Sequence, residues 1–205
     1  SMFCYLTGDN ILFPNDAFGQ HYASEHLFND KVDQAELLQE CIKYYANILT
    51  PFSKLVARKI EEFKSLDLPL EMICPSHGVI WRKDPLQIVQ KYAEWADAYQ
   101  EHQVTIVYDT MWDGTRKMAE SIARGLREAD SSLTVKLYNI SRSDRNDVIT
   151  EVFRSEAVLA GSPTINKGVL SDMAGFLEMA KGLGFRDKKA AAFGDEGRRQ
   201  VGPWY

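Results

Sequence analysis

Two threonines, Thr110 and Thr115, bracket the short polar loop Asp109-Thr110-Met111-Trp112-Asp113-Gly114-Thr115, which joins an apolar run to a helical one. Two hydroxyls and the free backbone amides at a helix start are suitable donors for a phosphate dianion. The loop holds no lysine, so it is not a Walker-type loop. The positive partial charge of the helix N-terminus lets neutral donors suffice. The plainer reading of Thr115 is a helix N-cap and nothing more. Two further loops bear on the choice. Gly161-Ser162-Pro163-Thr164-Ile165-Asn166 follows an apolar run and offers polar groups beside an apolar side chain that can flank an aromatic ring. In Phe193-Gly194-Asp195-Glu196-Gly197 the glycines permit close backbone approach to a ligand. Three such loops at successive strand ends predict one pocket for a flat, phosphorylated ring, because open α/β sheets bind ligands beyond the carboxyl ends of their strands.

A second set of residues lies nearer the start. Asp16 sits in Asn15-Asp16-Ala17-Phe18-Gly19-Gln20-His21, and His77 sits in Pro75-Ser76-His77-Gly78-Val79-Ile80-Trp81-Arg82, 61 residues on. A carboxylate can span two metal ions and a neutral imidazole suits iron. Taken as single residues, Asp16 reads as a turn or cap residue, and His77 as a loop residue before glycine. The three cysteines, Cys4, Cys41 and Cys74, are far apart and form no CxxC pair. A zinc knuckle or rubredoxin-type site is therefore not expected, and reduced thiols are.

The elements that must position these residues fall into two styles. Residues 3–13 read as a β-hairpin turning at Gly8-Asp9-Asn10, followed by a loop to about Asp30 long enough to suggest function. Leu37, Leu38, Cys41, Ile42, Tyr45 and Ile48 recur at helical spacing, and Pro51 should break that helix. A second helix is expected over Phe52–Phe63, a short strand over Glu71–Cys74, and a third helix over Pro85–Gln100. From His102 the pattern alternates strictly. Strands are expected over Val104–Tyr108, Leu133–Asn139, Ala157–Gly161 and Lys189–Phe193. Helices are expected over Thr115–Glu128, Asp144–Phe153 and Leu170–Lys181. That alternation implies right-handed crossovers and a doubly wound parallel sheet. The boundary is placed at residues 100–103, giving domains 1–101 and 102–205, with His102 as linker.

The 205 residues are 45% hydrophobic and 26% charged, enough to bury a core. A formal net charge of −5 with interspersed positive residues argues against a nucleic-acid partner or a polybasic membrane contact. No run approaches the roughly 20 apolar residues of a membrane span, and no signal-peptide plan opens the sequence. A cytoplasmic location is expected.

VYDTMWDGTRKMAESIARGL, GSPTINKGVL and AAFGDEG resemble the successive flavin loops of the flavodoxin domain in flavodiiron proteins. The DAFG and SHG segments resemble the metal-binding segments of the same family. HLFNDKVDQAELLQECIKYYANILTPFSKLV is most similar to its anaerobic nitric oxide reductase flavorubredoxin branch. The resemblance implies an α/β chain: the later part of a metallo-β-lactamase-like αββα domain, then the front of a flavodoxin-like doubly wound domain. It implies FMN as cofactor, with Thr110, Met111, Trp112, Asp113, Gly114 and Thr115 around the phosphate and Pro163, Thr164, Ile165, Asn166 and Gly194 along the ring. It implies a non-haem diiron site to which Asp16 contributes a bridging carboxylate and His77 an imidazole, with His21 and His26 near the ligands or in solvent. The family's HxExD run and a further His ligand belong upstream of this stretch, so the ligand set here is partial. The implied activity is reduction of nitric oxide to nitrous oxide, or of dioxygen to water, fed by a rubredoxin-type or reductase donor. The expected assembly is a homodimer or homotetramer, with Met111 or Trp112 helping to shape its interface. An FMN-binding electron carrier and an inactive truncated product are the rival readings. The tail after Gly197 departs from the family pattern, and reduced FMN affinity is expected from it.

Overall fold

A computed structural model describes residues 2–195. Glu196 and Gly197 of the third loop, and the tail behind them, lie outside the described residues. The chain divides into two compact units, Ser1–Tyr99 and Gln100–Tyr205. No helix among the described residues is long and apolar enough to cross a membrane.

In the first unit, β1 (Cys4–Leu6) and β2 (Ile11–Phe13) form the expected hairpin, with Cys4 opposite Phe13 and Leu6 opposite Ile11. Asn10 adopts a left-handed φ of 57° in the turn, a conformation asparagine tolerates better than most residues. α1 (Gln34–Tyr44) is capped by Asp33, whose carboxylate accepts from the Glu36 amide. The regular helix stops at Tyr44, earlier than the spacing of Tyr45 and Ile48 predicts. A π-helical turn (Tyr45–Leu49) and a 3-10 turn (Thr50–Phe52) follow before α2 (Ser53–Ser65). Pro51 explains this, because it lacks an amide hydrogen and its ring collides with the carbonyl four residues earlier. The wider turn keeps Tyr45 buried, and the Thr50 hydroxyl bonds back to the Ala46 carbonyl at 2.9 Å.

β3 is only Met72–Ile73 and pairs parallel with β2. α3 (Leu86–Ala96) ends before the predicted Gln100, and buries Ile88, Val89, Tyr92 and Trp95 along one face. Phe18, Tyr45, Tyr92 and Trp95 pack ring against ring, with centroids 4.9 to 5.6 Å apart. The Trp81 indole donates to the Phe18 carbonyl at 2.9 Å. This aromatic core pins the loop carrying Asp16 against the segment carrying His77.

The second unit alternates without exception: β4 (Glu101–Tyr108), α4 (Gly114–Ala129), β5 (Thr134–Asn139), α5 (Arg145–Arg154), β6 (Ser155–Gly161), α6 (Ser171–Leu183) and β7 (Lys189–Phe193). The sheet order is β5-β4-β6-β7, all parallel. Val104, Ile106 and Tyr108 of β4 pack with Ala119 and Ala123 of α4 on one face. Val107 packs with Val148, Ile149, Val152, Met173 and Phe176 of α5 and α6 on the other. Helices thus cover both faces, as a doubly wound sheet requires. β4 starts three residues earlier than its apolar run. Its polar start is satisfied: the buried Gln103 amide donates to the Glu151 carbonyl and the Ser155 hydroxyl. His102 is therefore a strand residue and not linker; its ring nitrogens face Asp130 at 3.0 Å and Glu156 at 3.3 Å.

Candidate functional site

After β4 the chain steps to β5 on one side and then to β6 on the other. The carboxyl ends of β4 and β6 consequently flank a topological switch point, where α/β sheets place their ligands. Backbone bonds join the three strand tips: Asp109 N–H to the Gly161 carbonyl (2.9 Å), Ser162 N–H to the Phe193 carbonyl (3.2 Å) and Thr164 N–H to the Asp195 carbonyl (3.0 Å). Gly194 is required by this packing, since a Cβ there would lie 2.2 Å from the Ser162 carbonyl oxygen.

The first loop holds the most telling chemistry. Asp113 is the N-cap of α4, in a left-handed conformation and without a side-chain cap. The plain reading of Thr115 as N-cap is thereby corrected: Thr115 is the second residue of the helix, and the cap geometry does not use its hydroxyl. Its side chain is 1% exposed, and neither its hydroxyl nor that of Thr110 has a hydrogen-bond partner among the described residues. Buried hydroxyls are nearly always bonded, and a pair without partners beside a helix start is chemically suited to an anion. Asp113 ion-pairs with Arg116, whose guanidinium holds the Asp113 carboxyl below its ordinary range. Met111 is half exposed and Trp112 is 88% exposed. Against the start of α4 stands Asp195, whose carboxylate would collide with a Cβ at Gly114. In the second loop, Asn166 and Lys167 form the left-handed tip of a turn closed by reciprocal Ile165–Gly168 backbone bonds. The Ser162 hydroxyl accepts from the Leu170 amide and bonds to the Pro163 carbonyl. Pro163 and Ile165 are half-buried, while Thr164, Asn166 and Gly194 are exposed.

In the first unit, Asp16 and His77 are brought together: His77 Nε2 lies 3.9 Å from Asp16 Oδ1, which also accepts from the Ser76 hydroxyl at 2.6 Å. His77 Nδ1 lies 3.3 Å from the Gln20 carbonyl oxygen. A carbonyl can only accept, so a proton on Nδ1 makes this bond, and in that tautomer Nε2 presents a lone pair beside a carboxylate. Two electron-pair donors facing one another across 3.9 Å suit a cation. His21 and Tyr44 complete the cluster, with ring centroids 5.2 and 5.1 Å from His77. Burial, and secondarily the Asp16 charge, raise the Tyr44 phenol above its ordinary value. His26 bonds through its backbone amide to the Ser24 hydroxyl. Among the described residues no group of three or more His, Cys, Asp or Glu side chains is placed to hold a metal ion. Asp16 and His77 thus fit a cation as part of a ligand set. Cys41, fully buried with its thiol pushed up by burial, is inert packing.

Sequence reasoning missed Gln20. It is wholly buried, its side-chain oxygen accepts from the Val79 amide at 2.7 Å, and its side-chain nitrogen approaches the Val79 carbonyl at 3.5 Å. The available signal was Gly78, which has φ +79° and leaves the space the Gln20 amide fills.

The flavodoxin family pattern matches residues 106–199. An anaerobic nitric oxide reductase flavorubredoxin of Klebsiella pneumoniae is 57% identical over 197 residues, covering 96% of this chain and 41% of that protein. Its counterpart in Escherichia coli is 56% identical with the same coverage. Among solved structures, the rubredoxin oxygen:oxidoreductase of Desulfovibrio gigas superposes with a TM-score of 0.90 at 37% identity, over 95% of this chain and 48% of that one. The flavodiiron protein of Giardia intestinalis gives 0.88 at 34% identity, over 95% and 47%. The chain spans about two fifths of the length of the curated relatives it matches. Over that stretch, which runs from an earlier unit into a flavodoxin-like one, the chain is similar to the flavodiiron proteins.

Proposed function

We propose that this stretch serves a flavodiiron reductase in which electrons held on FMN pass to a non-haem diiron centre that reduces nitric oxide to nitrous oxide, or dioxygen to water. The observation that carries the flavin half is the pair of unpartnered buried hydroxyls at the start of α4, set where the β4, β6 and β7 tips meet. Thr110 and Thr115 would donate to the phosphate, with the α4 amides completing the cradle. Pro163, Thr164, Ile165, Asn166 and Gly194 would line the ring. Asp16 and His77 would contribute a carboxylate and an imidazole to holding the iron, as part of a larger ligand set. When bound, the flavin supplies one- and two-electron transfer, and the protein's part is to hold and orient it.

The names of the relatives support nitric oxide or dioxygen as substrate and a rubredoxin-type donor. A homodimeric or homotetrameric, cytoplasmic protein is the corresponding proposal, with Met111 or Trp112 helping to shape the interface. The flavodoxin match over residues 106–199 supports a second reading: a flavin-binding carrier that passes electrons to a separate partner. Iron and flavin content, measured with anaerobic nitric oxide consumption on the parent polypeptide, separates the two. About two irons per polypeptide with turnover supports the reductase; flavin without iron or turnover supports the carrier.

A further inference from the structure

We infer that Gln20 is a positioning residue: it clamps the Asp16 and His77 loops together and fixes the His77 imidazole in the tautomer that leaves Nε2 free to bind metal. This inference rests on the reading of His77 as a ligand. Gln20 acts twice. Its backbone carbonyl accepts a hydrogen bond from His77 Nδ1, and its side-chain amide crosses to the Val79 backbone two residues beyond His77. The segment Ser76–Val79 is thereby tied to the Asp16 loop at both His77 and Val79, while Ser76 adds a third tie through its hydroxyl to Asp16.

Gly78 and Gly19 are shaped by the same arrangement. A Cβ on Gly78 would lie 1.4 Å from the Gln20 side-chain oxygen, and one on Gly19 would lie 2.8 Å from His77 Cε1. The amide at position 20 and the missing side chain at 78 are therefore one feature. An orienting acceptor on the far nitrogen of a metal-binding histidine sets ring orientation and tautomer and raises ligand basicity. Hydrophobic packing alone would bury a leucine here as well, but it would leave the Val79 amide without its acceptor.

Imidazole nitrogen NMR on the 205-residue chain at mildly alkaline pH tests this, with Gln20→Met and Gln20→Glu as variants and Mn²⁺ as the probe. Wild-type His77 is expected in the Nδ1–H form. Gln20→Met keeps the shape and the backbone carbonyl but loses the two Val79 bonds that hold that carbonyl against His77, so the tautomers should mix. The Mn²⁺ concentration that broadens the His77 and Asp16 signals should rise by roughly tenfold or more. Gln20→Glu keeps the acceptor for the Val79 amide and should restore the tautomer. A wild-type Nε2–H form overturns the proposal, and that spectrum decides even if Gln20→Met does not fold. An unchanged tautomer and an unchanged Mn²⁺ midpoint in a folded Gln20→Met also overturn it. A wild type that shows the expected tautomer without any Mn²⁺ response refutes the metal reading instead.

Discussion

Replacing Thr115 by valine separates a ligand-binding hydroxyl from a structural one, because the two roles predict opposite signs. The Thr115 side chain is 1% exposed, and its hydroxyl has no partner among the described residues. A buried, unsatisfied hydroxyl costs on the order of 1–3 kcal/mol, and exchange for a methyl of the same shape removes that cost. The flavin-free chain should therefore gain about 1 kcal/mol or more, which raises Tm by about 4–8 °C for a unit of this size. The same change deletes a donor to a charged phosphate, worth about 1.5–3 kcal/mol. FMN affinity should fall roughly 10- to 100-fold, at about 1.4 kcal/mol per decade. Thermal unfolding by circular dichroism, paired with flavin fluorescence titration, reads both. A Thr115→Val protein that is less stable and binds FMN unchanged would refute the reasoning, since the hydroxyl would then be serving the fold.

Gly19→Ala should be costly in the first unit, since its Cβ would sit 2.8 Å from His77 Cε1 and 3.1 Å from the Asp16 carbonyl. Overpacking of this kind costs about 1–3 kcal/mol, so denaturant unfolding should show the loss and the His77 ring signals should shift. In the second unit the two Ser132 bonds, and then His102, hold the Asp130 carboxyl down to about 2, from an ordinary 3.8. A depressed acid stabilises the fold above its unfolded value. That contribution should be present above about pH 4 and fade as pH falls toward 2. Urea midpoints across that window should drop more in wild type than in Asp130→Asn; parallel curves would count against the pairing.

Much of the second unit was legible because its strands are apolar on both faces and its helices are evenly spaced, so Lys189–Phe193 is found where its residues place it. Strand starts were less legible. Glu101, His102 and Gln103 look like linker until Arg154, Asp130 and Ser155, distant in sequence, supply their partners. In the first unit Pro51 announced a break, but not the π-helical turn that absorbs it, because that turn depends on keeping Tyr45 in the aromatic core. Thr110 and Thr115 were visible as donors, yet only coordinates show that both hydroxyls are left without partners. Gln20 was invisible because its function lies in contacts with residues 57 to 59 positions away.

The pocket at the tips of β4, β6 and β7 is tested most directly by titrating the chain with FMN and with riboflavin, which differ only by the phosphate. FMN should bind more tightly by at least about tenfold, or roughly 1.4 kcal/mol, and the preference should shrink in Thr115→Val. Equal affinities, or no binding of either, would contradict the account.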